Sequence, residues 1–265
     1  MTAEGGLKTI PPYPPGRNLL AGQTVLVTAA AGTGIGFAAA KRCLEEGATI
    51  FVSDIHERRL GEAIERLRAV AAQRVQGSVC DVTRQDQVDA LVASAMGALG
   101  HIDVLINNAG LGGTANVIDM SDGEWSRVLD VSLTSVMRMT RAVLPHMYSR
   151  RRGAIVNNAS VLGWRAQAGQ SHYAAAKAGV MAFTRCAAIE AAAEGVRINA
   201  VAPSIAMHAF LAKTTTPELL QELSRREAFG RPAEVWEVAN VMVFLASDLA
   251  SYMTGEILSV SSQHP

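Results

Sequence analysis

Short runs of β-branched and apolar residues alternate along the chain with longer stretches of helical character. The candidate strands are residues 24–28, 49–53, 74–79, 104–107, 154–157, 197–201 and 256–260. Strands that alternate with helices of roughly ten to twenty residues are typical of parallel βαβ crossovers. The pattern therefore predicts an α/β fold of the Rossmann type, with a doubly wound parallel sheet of about seven strands and helices on both faces.

The first 22 residues have a different character from the rest of the chain. They hold four of the nine prolines, in the run Pro11-Pro12-Tyr13-Pro14-Pro15. Proline has no backbone N–H and is excluded from helix interiors and central strands. We therefore interpret residues 1–22 as an extended N-terminal arm and residues 23–265 as a single catalytic domain, which a chain with 49% hydrophobic residues can fill with a core.

Charge and cysteine content exclude several function classes. Lys plus Arg and Asp plus Glu number 24 each, so no global field attracts nucleic acid or an anionic membrane. The three cysteines form no Cys-x-x-Cys pair, which argues against a disulfide framework and a metal site. No uncharged apolar run reaches roughly eighteen residues, and residues 1–20 do not resemble a signal peptide. We expect a cytoplasmic protein with a small-molecule partner and no metal.

Candidate acid/base chemistry lies in the second half of the chain. Tyr173 and Lys177 stand four residues apart in a run that favours a helix, and Ser160 lies thirteen residues upstream of Tyr173 at the end of an apolar strand. Positions i and i+4 share one helix face, so the ammonium lies one turn from the phenol and favours its ionised form. The alternative is an ordinary amphipathic helix on which Tyr packs and Lys snorkels. The set indicates a general acid/base, with Ser160 able to hydrogen-bond the same substrate oxygen.

A glycine-rich turn follows the first predicted strand. It reads Thr28-Ala29-Ala30-Ala31-Gly32-Thr33-Gly34-Ile35-Gly36 and leads directly into a predicted helix. Such a turn lets backbone amides approach a pyrophosphate, although a tight structural turn is the alternative. Asp54 ends the second strand, where an acidic side chain accepts hydrogen bonds from the adenosine ribose and repels a 2′-phosphate. This favours NAD over NADP, while Arg58 or Arg59 could accommodate that phosphate.

The chain resembles the short-chain dehydrogenase/reductase family. The motifs that carry the resemblance are Gly32-Thr33-Gly34-Ile35-Gly36, Asp81-Val82, Asn107-Asn108-Ala109-Gly110, Ser160 with Tyr173-x-x-x-Lys177, and Pro203, all in the family's order. Within the family, residues 169–179 and 243–248 are most similar to 3-oxoacyl reductases. The resemblance implies an oxidoreductase that transfers a hydride between a nicotinamide cofactor and a secondary alcohol or ketone.

The resemblance also implies a role for each matched position. Tyr173 is expected to be the general acid/base, Lys177 to bind the nicotinamide ribose and lower the tyrosine pKa, and Ser160 to polarise the substrate oxygen. Cofactor contacts are expected from Thr28, Gly32, Thr33, Gly34, Ile35, Gly36, Asp54, Asp81, Val82, Asn108, Ala109, Tyr173, Lys177, Pro203, Ala206 and His208.

Two departures from the family pattern affect the ends of the cofactor site. The family loop begins Thr-Gly, but Thr28 is followed by Ala29, so either the loop is longer by one residue or Ala30 replaces a glycine. His208 stands where a threonine usually binds the nicotinamide carboxamide, and Ser204 where a glycine usually follows the proline. His208 could bind the carboxamide, contact the substrate or cap the next helix.

A third departure concerns the proton relay. Ser132 stands where the family carries an asparagine that organises a relay water, and it is expected to be a fourth catalytic residue. A serine hydroxyl could hold water, with a shorter reach. Because of these departures, the alternative to an enzyme is a sensor that binds the cofactor and has lost turnover.

Residues 206–226 follow the sixth strand and are expected to cover the substrate, because ligands bind beyond the carboxyl ends of such strands. The expected substrate contacts are Trp164, Met207, Phe210 and Leu211. An apolar cover favours a bulky hydrophobic substrate, although an amphipathic helix packed on its own domain is the alternative.

Residues 110–116, 160–170 and 261–265 resemble actinobacterial family members that act on CoA-linked bicyclic remnants of steroid rings. This implies a CoA thioester, whose phosphates Arg165 or Arg152 could bind; a free ketone, sugar or steroid is the alternative substrate.

The helix predicted over residues 171–194 is apolar on more than one face, with Val180, Met181, Phe183, Ala187, Ala188 and Ile189. The second face is expected to meet another subunit, as in the family's tetramers, giving a homo-oligomer.

Overall fold

The computed structural model describes residues 9–208, 211 and 216–263. Its strands are β1 (Thr24–Val27), β2 (Thr49–Asp54), β3 (Val75–Val79), β4 (Val104–Asn107), β5 (Gly153–Asn158), β6 (Val196–Pro203), β7 (Ala206–Met207), β8 (Ala233–Glu234) and β9 (Ile257–Val260). Seven of them form one parallel sheet in the order β3-β2-β1-β4-β5-β6-β9. The predicted seven-stranded parallel sheet is confirmed.

Helices connect the strands and cover both faces of the sheet. They are α1 (Ile35–Glu45), α2 (Glu57–Arg68), α3 (Gln85–Leu99), α4 (Asp122–Leu129), α5 (Ser135–Arg150), α6 (Ser171–Ala192), α7 (Pro217–Arg226) and α8 (Val235–Ala246). One buried apolar cluster packs α1 and α8 against the sheet, and a second packs α3 and α5 against the other face. The fold is therefore doubly wound, as the alternation of elements predicts.

The strand order places a crevice at the carboxyl edge of the sheet. The chain passes outward from β1 to β3 and then returns to β4 on the other side of β1. The connections after β1 and β4 therefore diverge, and this switch point is where open α/β sheets bind ligands. β7 and β8 pair with each other outside the main sheet. The sequence pattern did not predict these strands, because two residues carry no alternation.

The proline-rich segment packs against the outer surface of α1. The Tyr13 ring meets the Trp236 ring edge-on, with 5.3 Å between centroids. Arg42 donates a hydrogen bond of 3.2 Å to the Pro15 carbonyl oxygen, and the Arg17 amide donates one of 2.7 Å to Glu46. Residues 9–18 contain no helix or strand, in line with their prolines.

The long helix α6 buries most of the apolar residues that make it apolar on more than one face. Val180, Met181, Ala187 and Ala188 lie within the chain's own core, whereas Ile189 is 78% exposed. The sheet and α5 cover the four buried residues, and contact of a second apolar face with another subunit stays a prediction. None of the helices in the described ranges has the length and apolarity needed to span a bilayer.

Candidate active site

Ser160, Tyr173 and Lys177 come together at the carboxyl edge of the sheet. Ser160 lies just beyond β5, and the other two lie in the first two turns of α6. The Ser160 hydroxyl lies near enough to the Tyr173 phenol to favour its ionised form. The Lys177 Nζ lies 5.6 Å from the centroid of the Tyr173 ring. The structure therefore brings a hydroxyl, a phenol and an ammonium to one point of the crevice.

Lys177 is buried, with 2% of its surface exposed. Its Nζ donates a hydrogen bond of 2.6 Å to the Asn158 carbonyl oxygen. Burial disfavours the charged form and lowers the pKa of Lys177 to about 8. A Cβ on Gly110 would lie 3.4 Å from this Nζ, so glycine at that position leaves room for the ammonium.

The pKa of Tyr173 differs from the sequence-based expectation. Burial raises the pKa of this phenol above its ordinary value, and the Ser160 hydroxyl acts in the opposite direction. Desolvation of the phenol therefore acts against the lowering expected from Lys177, and that effect of the ammonium stays a prediction. Tyr173 is a protonated acid at neutral pH.

A chain of hydrogen bonds connects Lys177 with the glycine-rich turn. The Asn158 Nδ2 donates to Asn108 Oδ1 at 2.9 Å, and the Asn108 Nδ2 donates to the Ala29 carbonyl oxygen at 3.0 Å. The Thr28 Oγ1 accepts from the amides of Asn108 and Ala109 at 3.0 and 3.3 Å. The ends of β1, β4 and β5 are thereby locked together beneath the crevice.

Asn158 is a site residue that sequence reasoning missed. Its predicted strand ended one residue too early, at Asn157, while β5 runs on to Asn158. The available signal was the pair of amides at the carboxyl end of an apolar strand, because such side chains need partners when they are buried.

Ser132 is fully buried and is bound to the loop after β4. Its hydroxyl donates to the Leu111 carbonyl oxygen and accepts from the Leu111 amide, both at 2.9 Å. The expected role was to hold a relay water, but the single donor of the hydroxyl is used by Leu111 and one acceptor lone pair remains. Ser132 lies in a π-helical turn, Asp130–Thr134, between α4 and α5, and such turns are frequent at functional sites.

The start of α1 has the form of an anion cradle. Gly34 is its N-cap, and no side-chain hydrogen bond caps this helix start. A Cβ on Gly32 or Gly34 would meet nothing within 4 Å, so the turn of Gly32, Thr33, Gly34 and Ile35 faces open space. Uncapped amides at a helix N-terminus fit a pyrophosphate. Gly36 has a packing role instead, because a Cβ there would lie 2.3 Å from the Ala29 carbonyl oxygen.

Ala29 adopts the left-handed conformation, with φ of 50°. This region costs an alanine free energy that a glycine avoids. The left-handed residue directly follows Thr28, which is where the family loop carries its glycine. The conformation therefore favours the longer loop over a replacement at Ala30.

Asp54 reaches the glycine-rich turn from the end of β2. One carboxylate oxygen accepts from the Ala31 amide at 3.2 Å and the other from the His56 amide at 3.0 Å. Burial raises the pKa of this carboxyl, while the Ala31 amide and the Arg59 charge partly offset it. Arg58 instead pairs with Glu62 at 2.6 Å on the exposed face of α2.

Three further residues lie near the ends of β2 and β3, where the family resemblance places the adenosine. Arg66, which sequence reasoning did not single out, donates to the Gly32 carbonyl oxygen at 2.9 Å and lies 4.0 Å over the Phe37 ring. Asp81 follows β3, and its carboxylate accepts from the Thr83 amide at 3.0 Å. Val82 beside it is buried. Charged residues alternate along α2, so the sequence did not distinguish Arg66, which faces the glycine-rich turn, from the other charged residues of this helix.

His208 caps the segment that follows β7. Its Nδ1 accepts from the Leu211 amide at 3.3 Å, which agrees with the helix-capping alternative. Burial lowers the pKa of His208. Pro203 ends β6 and Ala206 is buried beside the main sheet, so both lie at the same edge as Ser160.

The expected substrate contacts have different positions in the structure. Trp164 is 41% exposed, whereas Met207 and Leu211 are partly buried. Phe210 lies outside the described residues. Of the predicted cover, residues 206–226, the structure describes residues 206–208, Leu211 and residues 216–226, which include β7 and the helix α7.

The two arginines considered for a CoA phosphate lie at opposite ends of the molecule. Arg152 precedes β5 and so lies at the amino edge of the sheet, whereas Ser160 lies beyond the carboxyl end of that strand. Contact of Arg152 with a substrate phosphate stays a prediction, and its position opposite Ser160 does not support it. Arg165 lies on the same side of the sheet as Ser160, and its Nη1 donates to Gln263 Oε1 at 2.8 Å.

In the part of the chain that the structure describes, no group of three or more His, Cys, Asp or Glu residues could hold a metal ion.

Comparisons with known proteins agree with this geometry. A family model described as enoyl-(acyl carrier protein) reductase matches residues 29–262. A Mycobacterium tuberculosis protein named (5R,7aS)-5-hydroxy-7a-methyl-1-oxo-2,3,5,6,7,7a-hexahydro-1H-indene-carboxyl-CoA reductase is 64% identical over 94% of this chain and 96% of its own length. The Thermotoga maritima 3-oxoacyl-[acyl-carrier-protein] reductase FabG is 37% identical over 91% of this chain and 97% of its own.

A solved structure supports the same assignment. The crystal structure of a short chain dehydrogenase from Mycobacterium smegmatis matches with a TM-score of 0.88 and 56% identity, over 98% of this chain and all of that one. The family model, the two relatives and this structure each cover nearly the whole domain. The chain therefore belongs to the short-chain dehydrogenase/reductase family, whose oxidoreductases use nicotinamide cofactors.

Proposed function

We propose that the protein transfers a hydride between NAD and a secondary alcohol or ketone carried on a hydrophobic CoA thioester. The observation that carries hydride transfer is the grouping of Ser160, Tyr173 and Lys177 at the crevice. The substrate class is supported by the M. tuberculosis relative, whose name describes a reductase of a bicyclic carboxyl-CoA. The preferred substrate is therefore a bicyclic acyl-CoA of the steroid-ring type.

In the direction of reduction, the substrate oxygen accepts hydrogen bonds from Ser160 and Tyr173. A nicotinamide cofactor held in the crevice would supply the hydride that reduces the carbonyl carbon. Tyr173 donates its phenolic proton to the oxygen at the same stage, which yields the alcohol and leaves a phenolate. The ammonium of Lys177 stabilises that phenolate, because an opposite charge nearby favours the ionised form. In the reverse direction the phenolate takes the proton back.

The ionisation of the pair is consistent with the reducing direction. Burial raises the pKa of Tyr173, so the resting phenol holds the proton that reduction requires. Burial lowers the pKa of Lys177 to about 8, so a phenolate beside it would favour its charged form. The two nearby relatives named above are both reductases.

The cofactor is assigned to the crevice on the chemistry of its lining. Gly32, Thr33, Gly34, Ile35 and Gly36 form the turn for the pyrophosphate. The adenine side is assigned to Asp81 and Val82, and the middle of the crevice to Thr28, Asn108 and Ala109. The nicotinamide end is assigned to Tyr173, Lys177, Pro203, Ala206 and His208.

NAD is proposed in preference to NADP. Asp54 places a buried carboxylate against the Ala31 amide, where a 2′-phosphate would meet its negative charge. Arg58 is engaged with Glu62, which weakens its case as a phosphate ligand. Arg66 is the arginine that contacts the glycine-rich turn.

The wall of the substrate cleft is assigned to Trp164, Met207 and Leu211, with Phe210 as the fourth predicted contact.

The protein is proposed to act in the cytoplasm as a homo-oligomer, in which the exposed Ile189 of α6 contacts a second copy. A dimer or a tetramer satisfies this proposal.

The experiment compares one bicyclic ketone acid with and without CoA. The wild type is assayed with NADH and NADPH against the ketone acid coupled to CoA, and against the same acid uncoupled. We expect a kcat/KM at least about tenfold higher for the thioester with NADH. CoA alone should compete with the thioester and raise its apparent KM. Equal turnover of the free acid would favour the free-ketone alternative, and tight NADH binding without any turnover would favour the sensor.

A further inference from the structure

We propose that Arg165, Glu227 and Gln263 form a polar clasp that positions the wall of the substrate cleft. This inference rests on the proposed function, because it assigns a positioning role toward that function's substrate. The clasp joins three segments that are distant in sequence: the loop after Ser160, the end of α7 and the C-terminal segment after β9. All three lie at the carboxyl edge of the sheet.

Glu227 is the buried centre of the clasp. It directly follows α7 and is 4% exposed. Its carboxylate accepts from the Ser262 amide at 3.1 Å, the Ser262 hydroxyl at 2.7 Å and the Gln263 Nε2 at 2.7 Å. A buried carboxylate without such donors is costly, so this set of bonds fixes the C-terminal segment to the end of α7.

Gln263 connects this carboxylate with the loop that carries Trp164. Its amide nitrogen donates to Glu227, while its amide oxygen accepts from Arg165 Nη1 at 2.8 Å. An amide is the side chain that can donate on one side and accept on the other. The polarity of the clasp is therefore fixed: a carboxylate, then an amide, then a guanidinium.

The attachment of α7 depends on contacts at its ends. None of the residues of α7 is buried, although the helix is amphipathic. Its first turn is capped by the Thr216 hydroxyl, and its last residue is followed by Glu227. A helix with so little buried surface is held weakly by packing, so the clasp contributes much of its position.

The clasp is expected to act on substrate binding rather than on chemistry. Ser160 and Tyr173 are held by β5 and α6, which do not depend on Gln263. Loss of the clasp should therefore raise the KM for a bulky substrate and leave kcat and the NADH dissociation constant unchanged. These separate readouts distinguish a positioning role from a general loss of structure.

The test reverses the polarity of the clasp. Gln263→Glu places a second carboxylate against Glu227, and the double variant Gln263→Glu/Glu227→Gln restores a donor and an acceptor at each contact. Gln73→Glu is the matched control, because Gln73 is exposed beside β3 at the opposite edge of the sheet. The readouts are KM for the CoA-coupled bicyclic ketone, kcat, the NADH dissociation constant and hydrogen exchange of Pro217–Arg226.

We expect Gln263→Glu to raise KM about tenfold and to speed amide exchange in α7 by a similar factor. The double variant should recover both, and Gln73→Glu should change neither. Unchanged KM and exchange in Gln263→Glu, or no recovery in the double variant, would overturn the clasp. If the wild type reduces no ketone, the proposed function fails, and the exchange comparison, which needs no substrate, still decides whether the clasp holds α7.

Discussion

Lys177 donates a 2.6 Å hydrogen bond to the main-chain carbonyl oxygen of Asn158, between α6 and the end of β5. Asn158 also binds Asn108 through its side chain, and Asn108 binds the turn after β1. The ammonium is thus held by the strand that leads to Ser160 and is linked to the glycine-rich turn. This relationship places the proposed acid/base chemistry and the proposed cofactor site on one rigid base.

The buried Lys177 gives the protein a specific dependence of stability on pH. Its folded pKa of about 8 lies below the ordinary value of 10.5. Between these values the unfolded chain binds more protons than the folded chain, so the contribution of Lys177 to stability rises with pH. Lys177→Met removes this titration. Urea unfolding from about pH 7 to pH 10 should show the wild type gaining stability relative to the variant; a constant difference would contradict the buried environment.

Ala29→Gly is expected to stabilise the protein. Ala29 has φ of 50°, a conformation that costs an alanine about 1–2 kcal/mol. Glycine removes that cost but loses more entropy on folding, so the free energy of unfolding should rise by about 0.5–1 kcal/mol. Ala31→Gly is the control; it should lower the stability, since Ala31 is not left-handed. Thermal melts of both variants measure this difference. A lower stability of Ala29→Gly than of the wild type would contradict the strain at Ala29.

Ser132→Ala should destabilise the loop after β4. The change leaves the amide and carbonyl groups of Leu111 without their partner at a partly buried position, which costs about 1 kcal/mol, the lower end of the range for buried groups. Because the hydroxyl is engaged with Leu111, the shape of the pH–rate profile should not change. Ser135→Ala removes another buried hydroxyl on the same helical segment and serves as the control. A shifted pH–rate profile with normal stability would return Ser132 to the proton relay.

Asp54→Ala should weaken the preference for NAD. Its carboxylate, placed against the glycine-rich turn, repels a 2′-phosphate in the wild type. We expect the ratio of kcat/KM for NADH over NADPH to fall by about tenfold or more. Glu57→Ala removes an exposed carboxylate from the first turn of α2 and controls for charge alone. A wild type that already prefers NADPH would show that an arginine dominates.

Much of the fold follows from local sequence pattern, whereas the polar details of the site do not. The β-branched runs predicted all seven strands of the main sheet, since buried parallel strands are continuously apolar. The spacing of Tyr173 and Lys177 placed both on one helix face. The bond from Lys177 to Asn158 and the bond from Arg165 to Gln263 join residues far apart in sequence, so no local pattern reports them.

Side-chain environment was the other part that sequence did not reveal. The charge of Lys177 indicated a lowered tyrosine pKa, but the sequence did not show how deeply the phenol is buried, and burial raises that pKa. Ser132 carried the expectation of its family counterpart, while its short side chain is used by Leu111. In both cases the missing quantity is depth in the fold, which depends on how distant segments pack.

Tyr173→Phe tests the central claim most directly. The change removes the transferable proton and retains the ring, so cofactor binding and stability should be unchanged. We predict that kcat for reduction of the CoA-coupled ketone falls by about 10²–10⁴-fold while the NADH dissociation constant stays within about twofold of the wild type. A folded Tyr173→Phe protein that binds NADH and reduces the ketone at the wild-type rate would contradict the assignment of Tyr173 as the proton donor.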